Sequence, residues 1–200
     1  MNNISSNGIT LKSYEQSLNE YINGTPSETT GNIKIWIDLF LNLLPSNPRI
    51  IEIGSAFGRD AQYIESQGFS VERTDATVGF VNFLKNKGYS AKEFNILTDD
   101  FTSVYDLIFA NAVFLHFNSE ELIEVLKKIQ GSLSTNGILA FSVKHGEGEG
   151  WSNEKIGQPR FFCYWNKDKI QLLMETLNFE VLSISEDEKF LQITAKKIVQ

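Results

Sequence analysis

Cysteine is almost missing from this chain, with Cys163 alone among 200 residues. One thiol closes no intramolecular disulfide and builds no multi-cysteine metal site, so a reducing cytoplasm is the economical expectation. An excess of basic residues is missing too: 18 Lys and Arg face 25 Asp and Glu, a net charge of −7. Binding along a phosphate backbone needs clustered cations, so DNA, rRNA and intact tRNA are disfavoured and no nucleic-acid partner is expected. No apolar run has the length of a bilayer span, and Met1–Gly8 carries no basic-then-apolar leader. Neither membrane insertion nor secretion is therefore expected. Internal repeats and long low-complexity linkers are also absent, and the length suits one α/β domain.

What is present is an alternation of helix-period and strand-like segments from Asn32 onward, the pattern of a doubly wound sheet. Ile33, Trp36, Ile37, Phe40, Leu43 and Leu44 recur at helical spacing and stop before Pro45 and Pro48, after which a strand begins at Arg49. A helix is predicted over Val78–Lys87, a strand over Ser90–Phe94, and a strongly apolar strand over Tyr105–Ala110. Asn118 or Ser119 caps a helix whose Leu122, Val125, Leu126 and Ile129 share a face. Asn136-Gly137 turns the chain into strand Ile138–Lys144, and Lys144–Arg160 reads as a loop. A helix bearing Ile170, Leu173, Met174 and Leu177 precedes a hairpin of Phe179–Ser185 and Phe190–Ile198.

The most informative stretch runs from Ile50 to Asp60, where a short apolar strand ends in small residues and a polar helix begins. Such a turn lets the backbone approach a ligand and offers it the free N–H groups of a helix start. About 20 residues further on, the next strand ends in Asp75, the position from which an acid accepts hydrogen bonds from ribose hydroxyls. Gly54, Ala56 and Arg59 stand where a dinucleotide loop needs three glycines, and no G-x-x-x-x-G-K-[ST] loop occurs. An adenosine-containing cofactor other than a dinucleotide or a triphosphate is expected.

The remaining pattern, acid-x-Gly-x-small-x-Gly-x-Asp, resembles motif I of class I S-adenosylmethionine (SAM) methyltransferases, with Ala56 in place of the usual middle glycine. Gly58-Arg59-Asp60-Ala61, Gly68 and Asp75-Ala76-Thr77 resemble small bacterial members of the tellurite-resistance and thiopurine type. Tyr105–His116 is similar to their motif IV strand and loop. Ser142–Gly150 and Arg160–Trp165 are similar to a subgroup with S-x-K-x-G-E-G-E and R-[FY]-F-x-Y segments. The resemblance implies a Rossmann-like seven-stranded mixed sheet of order 3-2-1-4-5-7-6, its last strand antiparallel, with helices on both faces. It also implies a cover segment over residues 1–30 and a methyltransferase domain over 31–200, monomeric or homodimeric. By the same resemblance Gly54, Ser55, Ala56, Gly58, Arg59 and Asp60 form the methionine-side loop and helix start. Asp75 holds the ribose, Ala76, Thr77, Asn95 and Ile96 border the adenine, and Asn111 and Ala112 run along the sulfonium. Tyr14 and Tyr21 correspond to tyrosines that close over SAM, although amphipathic packing explains them equally well.

The acceptor side is expected after the fifth strand, beyond the carboxyl ends of the sheet. There Lys144, Glu147, Glu149 and Arg160 supply charge, with Phe161, Tyr164 and Trp165 as walls, or else form a solvated loop beside a core aromatic cluster. Glu147 and Glu149 lack a clear third ligand, so no metal is assigned. His116 is the candidate general base and equally a candidate structural histidine; His145 is a weaker choice. The expected activity is methyl transfer from SAM to a small molecule with S-adenosylhomocysteine (SAH) as product. The competing expectation is a SAM-binding sensor or scaffold without turnover.

Overall fold

The computed structural model describes residues 5–198, leaving the first four residues of the expected cover segment outside. Two helices, α1 (Ser6–Gln16) and α2 (Leu18–Asn23), precede α3 (Gly31–Leu41). Then follow β1 (Ile50–Ile53), α4 (Arg59–Ser66), β2 (Val71–Asp75), α5 (Val78–Asn86), β3 (Ala91–Glu93) and β4 (Tyr105–Ala110). A 3-10 turn over Phe114–His116 leads to α6 (Ser119–Ser132) and β5 (Leu133–His145). The chain ends with β6 (Glu149–Ser152), β7 (Arg160–Trp165), α7 (Lys167–Thr176), β8 (Phe179–Glu186) and β9 (Phe190–Lys197).

The sheet order is β3-β2-β1-β4-β5-β9-β8, with β9 antiparallel to both β5 and β8, which matches the expected order. The central strands are buried on both sides, and their side chains sort by the period of two. Ile51, Ile53, Ile108, Ala110, Leu139 and Phe141 join the core beneath α6 and α7. Ile50, Leu107, Phe109, Ile138 and Ala140 meet Trp36, Ile37 and Phe40 of α3 and Ala61 and Ile64 of α4. Asn118 caps α6 in a reciprocal capping box with Glu121, which settles the choice between Asn118 and Ser119.

Two differences from the sequence reading bear on the site. Asn136, at φ +62, makes its turn inside β5, and four residues are looped out between the Tyr105↔Leu133 and Leu107↔Ile138 pairs. The expected loop over Lys144–Arg160 contains β6, and its partner β7 starts at Arg160: Glu149 pairs with Cys163 and Ser152 with Arg160. Backbone pairing, which polar side chains do not prevent, orders this stretch. The far end of β7 continues alongside β5 at Lys144↔Tyr164 and His145↔Trp165, so the hairpin is fastened to the sheet. No described helix is long and apolar enough to cross a membrane.

Candidate active site

The carboxyl ends of β1, β2, β3 and β4 open into one cleft, where an open α/β sheet places its ligands. Gly54 follows β1 at φ +72, and a Cβ there would collide with Val113 on the opposite wall. Ala56 adopts φ +48, so the departure from the glycine pattern keeps the left-handed turn that glycine would make. Both residues line the cleft. Gly58, at φ +88, closes the turn, and its N–H donates to the Ser55 carbonyl at 2.7 Å.

Asp75 ends β2 in the cleft wall, buried, and its two oxygens each accept a backbone N–H at 2.8 Å, from Ala56 and from Thr77. One carboxylate thereby joins the loop after β1 to the loop after β2. Burial outweighs those hydrogen bonds and raises its pKa to about 6. Ala76, Thr77, Asn95, Ile96, Asn111 and Ala112 line the same cleft. The Asn95 amide donates to Asn7 Oδ1 at 3.2 Å, while its Oδ1 accepts the Leu97 N–H at 3.1 Å.

Ser55, Gly58, Arg59 and Asp60 stand behind the wall rather than in it. Asp60 accepts from the Asn111 amide at 2.8 Å, the Thr29 hydroxyl at 2.7 Å and Arg59 Nε at 2.8 Å. Asn111 in turn accepts the Ser142 hydroxyl at 2.8 Å, and Ser142 Oγ accepts the Ala112 N–H at 2.7 Å. The first helix turn of α4 thus fixes the loop after β4, where Ala112 is held at φ +59.

Tyr14 and Tyr21 line the cleft from the helical cover, with ring centroids 5.4 Å apart, and Tyr21 lies 5.4 Å from Phe80. His116 Nδ1 lies 2.6 Å from the Phe161 carbonyl and must donate to it, so Nε2 is the acceptor of the Tyr14 hydroxyl at 2.8 Å. Burial holds this imidazole down at about 3, and Arg160 and Lys144 oppose its protonation. A neutral histidine with both nitrogens engaged is a positioned acceptor for Tyr14.

The residues expected on the acceptor side are divided by the fold. Arg160 donates through Nη1 to the Tyr14 hydroxyl at 3.3 Å, next to the cleft. Phe161 is buried and contributes its backbone, its N–H to Thr10 Oγ1 at 3.1 Å and its carbonyl to His116. Glu147 points into solvent and pairs with Lys169 at 3.3 Å, and Glu149 is exposed on β6. Neither glutamate lines the cleft, and nor does Tyr164, which packs beside Gly146. Lys144 lies with its Nζ 5.6 Å from the Phe162 ring and 5.0 Å from the Phe190 ring. Trp165, expected as a wall, belongs to the core beneath α6 and α7.

The cleft also uses residues that the motifs did not mark: Asn7, Thr10 and Leu11 from α1, with Phe94, Val113 and Phe117 opposite. The available signal in α1 was a polar one, since Asn7, Thr10 and Ser13 recur every third residue and are the buried face of that helix.

A methyltransferase domain family model matches residues 30–184. No curated protein gives a significant sequence match. Among solved structures, a SAM-dependent methyltransferase from Methanosarcina mazei is similar at 16% identity and TM-score 0.70, covering 81% of this chain and 98% of its own. The Burkholderia thailandensis 1,6-didemethyltoxoflavin-N1-methyltransferase, solved with its acceptor and SAH, gives 16% identity and TM-score 0.72, over 94% of this chain and 88% of its own. TehB from Haemophilus influenzae gives 17% identity and TM-score 0.63, over 82% and 62%. At these identities the structures speak for the fold, whereas the family model spans most of the sequence: the chain belongs to the methyltransferase domain family.

Proposed function

We propose that this protein transfers a methyl group from SAM to a small-molecule acceptor. The observation that carries the reading is Asp75, a buried carboxylate in the wall of a cleft whose other described lining residues are uncharged, beside a Gly54 that leaves no room for a side chain. Among the described residues no lysine or arginine lines that cleft, which suits adenosine attached to a sulfonium rather than to phosphates. When bound, SAM supplies a methyl group on a positively charged sulfur that departs as a neutral thioether. Asp75 keeps lone pairs beyond its two N–H bonds for ribose hydroxyls, and Asn95, Ala76 and Thr77 edge the adenine side. Asn111, held by Asp60 and Ser142, and the constrained Ala112 run along the reacting end. Tyr14, Tyr21 and Phe80 shield that end from water and leave alignment as the main task. His116 acts by fixing Tyr14, since an imidazole held neutral by burial is a weak proton acceptor.

Calorimetric titration tests the assignment: SAM and SAH bind, and NAD and ATP do not. Asp75→Ala weakens SAM by about 1.5–3 kcal/mol through loss of charge-assisted hydrogen bonds. An unchanged SAM affinity in a folded Asp75→Ala protein removes the assignment.

A further inference from the structure

Resting on that reading, we propose that the methyl acceptor is an anionic small molecule, a carboxylate, held by Arg160 and Lys155 beside Tyr14 and Tyr21. Arg160 is 6% exposed, and its Nε has no hydrogen-bond partner among the described residues. Its other nitrogens reach the Tyr14 hydroxyl and the Glu154 carbonyl, and its guanidinium lies 5.0 Å from the Phe162 ring centroid. Lys155, in a left-handed backbone conformation at φ +71, brings Nζ to 4.0 Å from the Tyr21 ring centroid. Lys144 approaches the same Phe162 ring from β5. Among the described residues none of these three cations makes an ion pair with a carboxylate.

Three cations gathered without a direct ion pair among the described residues, Lys144 feeling Glu154 and Asp187 only at longer range, carry a desolvation and repulsion cost that an arriving anion relieves. That repulsion shows in Lys155, which burial and then Arg160, Arg59 and Lys144 lower to about 8. A planar guanidinium with a free N–H suits a carboxylate in particular, and Lys155 adds a mobile point charge. The position fits an acceptor because the Tyr14 hydroxyl, to which Arg160 donates, belongs to the wall of the SAM cleft.

The test titrates the SAH-loaded protein with matched acid and amide probes: benzoate and benzamide, phenylacetate and phenylacetamide, nicotinate and nicotinamide. The expected result is that the acids bind roughly tenfold more tightly than their amides, and that Arg160→Gln abolishes the preference. Lys155→Gln reduces the preference several-fold, and its SAH affinity stays within about twofold. Equal binding of acids and amides across the panel, or an acid preference that survives in Lys155→Gln and in a folded Arg160→Gln, overturns the proposal. Failure of the unaltered protein to bind SAH would instead strike the methyltransferase reading.

Discussion

At the scale of single residues, the loop after β1 divides into a position that needs glycine and one that tolerates alanine. Ala56 sits at φ +48, where an L-residue gives up roughly 1–2 kcal/mol. Ala56→Gly relaxes that strain but frees the unfolded chain, an offset of about 0.4–1 kcal/mol. Denaturant titration is expected to find the two proteins within about 1 kcal/mol of each other, with SAM binding retained. Gly54→Ala is a different change, because the new Cβ meets Val113, itself part of the cleft wall, at φ +72. That variant is expected to lose roughly 1–3 kcal/mol of stability and most of its SAM affinity, as calorimetry would show.

Among the secondary elements, α1 is unusual in burying Asn7, Thr10 and Ser13 rather than an apolar stripe. It is attached by directed bonds: Thr10 Oγ1 accepts the Phe161 N–H, the Ser13 hydroxyl donates to the Pro159 carbonyl at 2.6 Å, and Glu15 accepts the Gly79 N–H at the start of α5. When such a helix lifts, water replaces those partners, so the free energy of opening is modest. Thr10→Val strands the Phe161 N–H, a loss of about 1–3 kcal/mol that falls on the closed state. SAM is therefore expected to dissociate faster from Thr10→Val in stopped-flow exchange while the sheet keeps its stability; an unchanged rate would show that α1 does not gate the cleft.

The same helix marks the limit of what could be read from the sequence. The central strands, α3, α6, α7 and the terminal hairpin were legible because their apolar residues follow periods of 3.6 or 2, and Gly54 and Asp75 because their spacing is fixed by a strand-to-helix turn. The role of α1 in the cleft was hidden because a polar interior leaves no apolar periodicity. The β6–β7 hairpin was hidden because Gly146–Gly150 is polar and Phe161–Trp165 carries large side chains on both faces of its strand. The places of Glu147 and Arg160 depend on that hairpin, so one went to solvent and the other to the Tyr14 hydroxyl beside the cleft.

For the molecule as a whole, two buried groups set opposite limits on stability against pH. Glu52, beneath the loop after β1, is raised from 4.5 to about 8 by burial and then by the Asp60 charge. Its contribution is full below the ordinary carboxylate value and is lost as pH rises through about 8, because the unfolded chain gives up the proton first. His116, lowered from 6.5 to about 3, contributes above its ordinary value and loses that contribution as pH falls toward 3. Denaturation midpoints are expected to fall from about pH 6 to about pH 8, and Glu52→Gln to flatten that decline. A parent profile that stays level over this interval would show that Glu52 ionises normally.

Tyr14 belongs to two neighbourhoods at once, the aromatic wall of the cleft and the hydrogen-bonded group of His116 and Arg160. Any ligand that moves the ring in the cleft also alters the partner offered to Arg160. The free energies of binding on the two sides are then linked, and linkage is symmetrical: whatever factor the methyl donor imposes on the acceptor's dissociation constant, the acceptor must return to the donor. With the acceptor on Arg160 as proposed, one phenol is expected to couple two unlike ligands within a single chain.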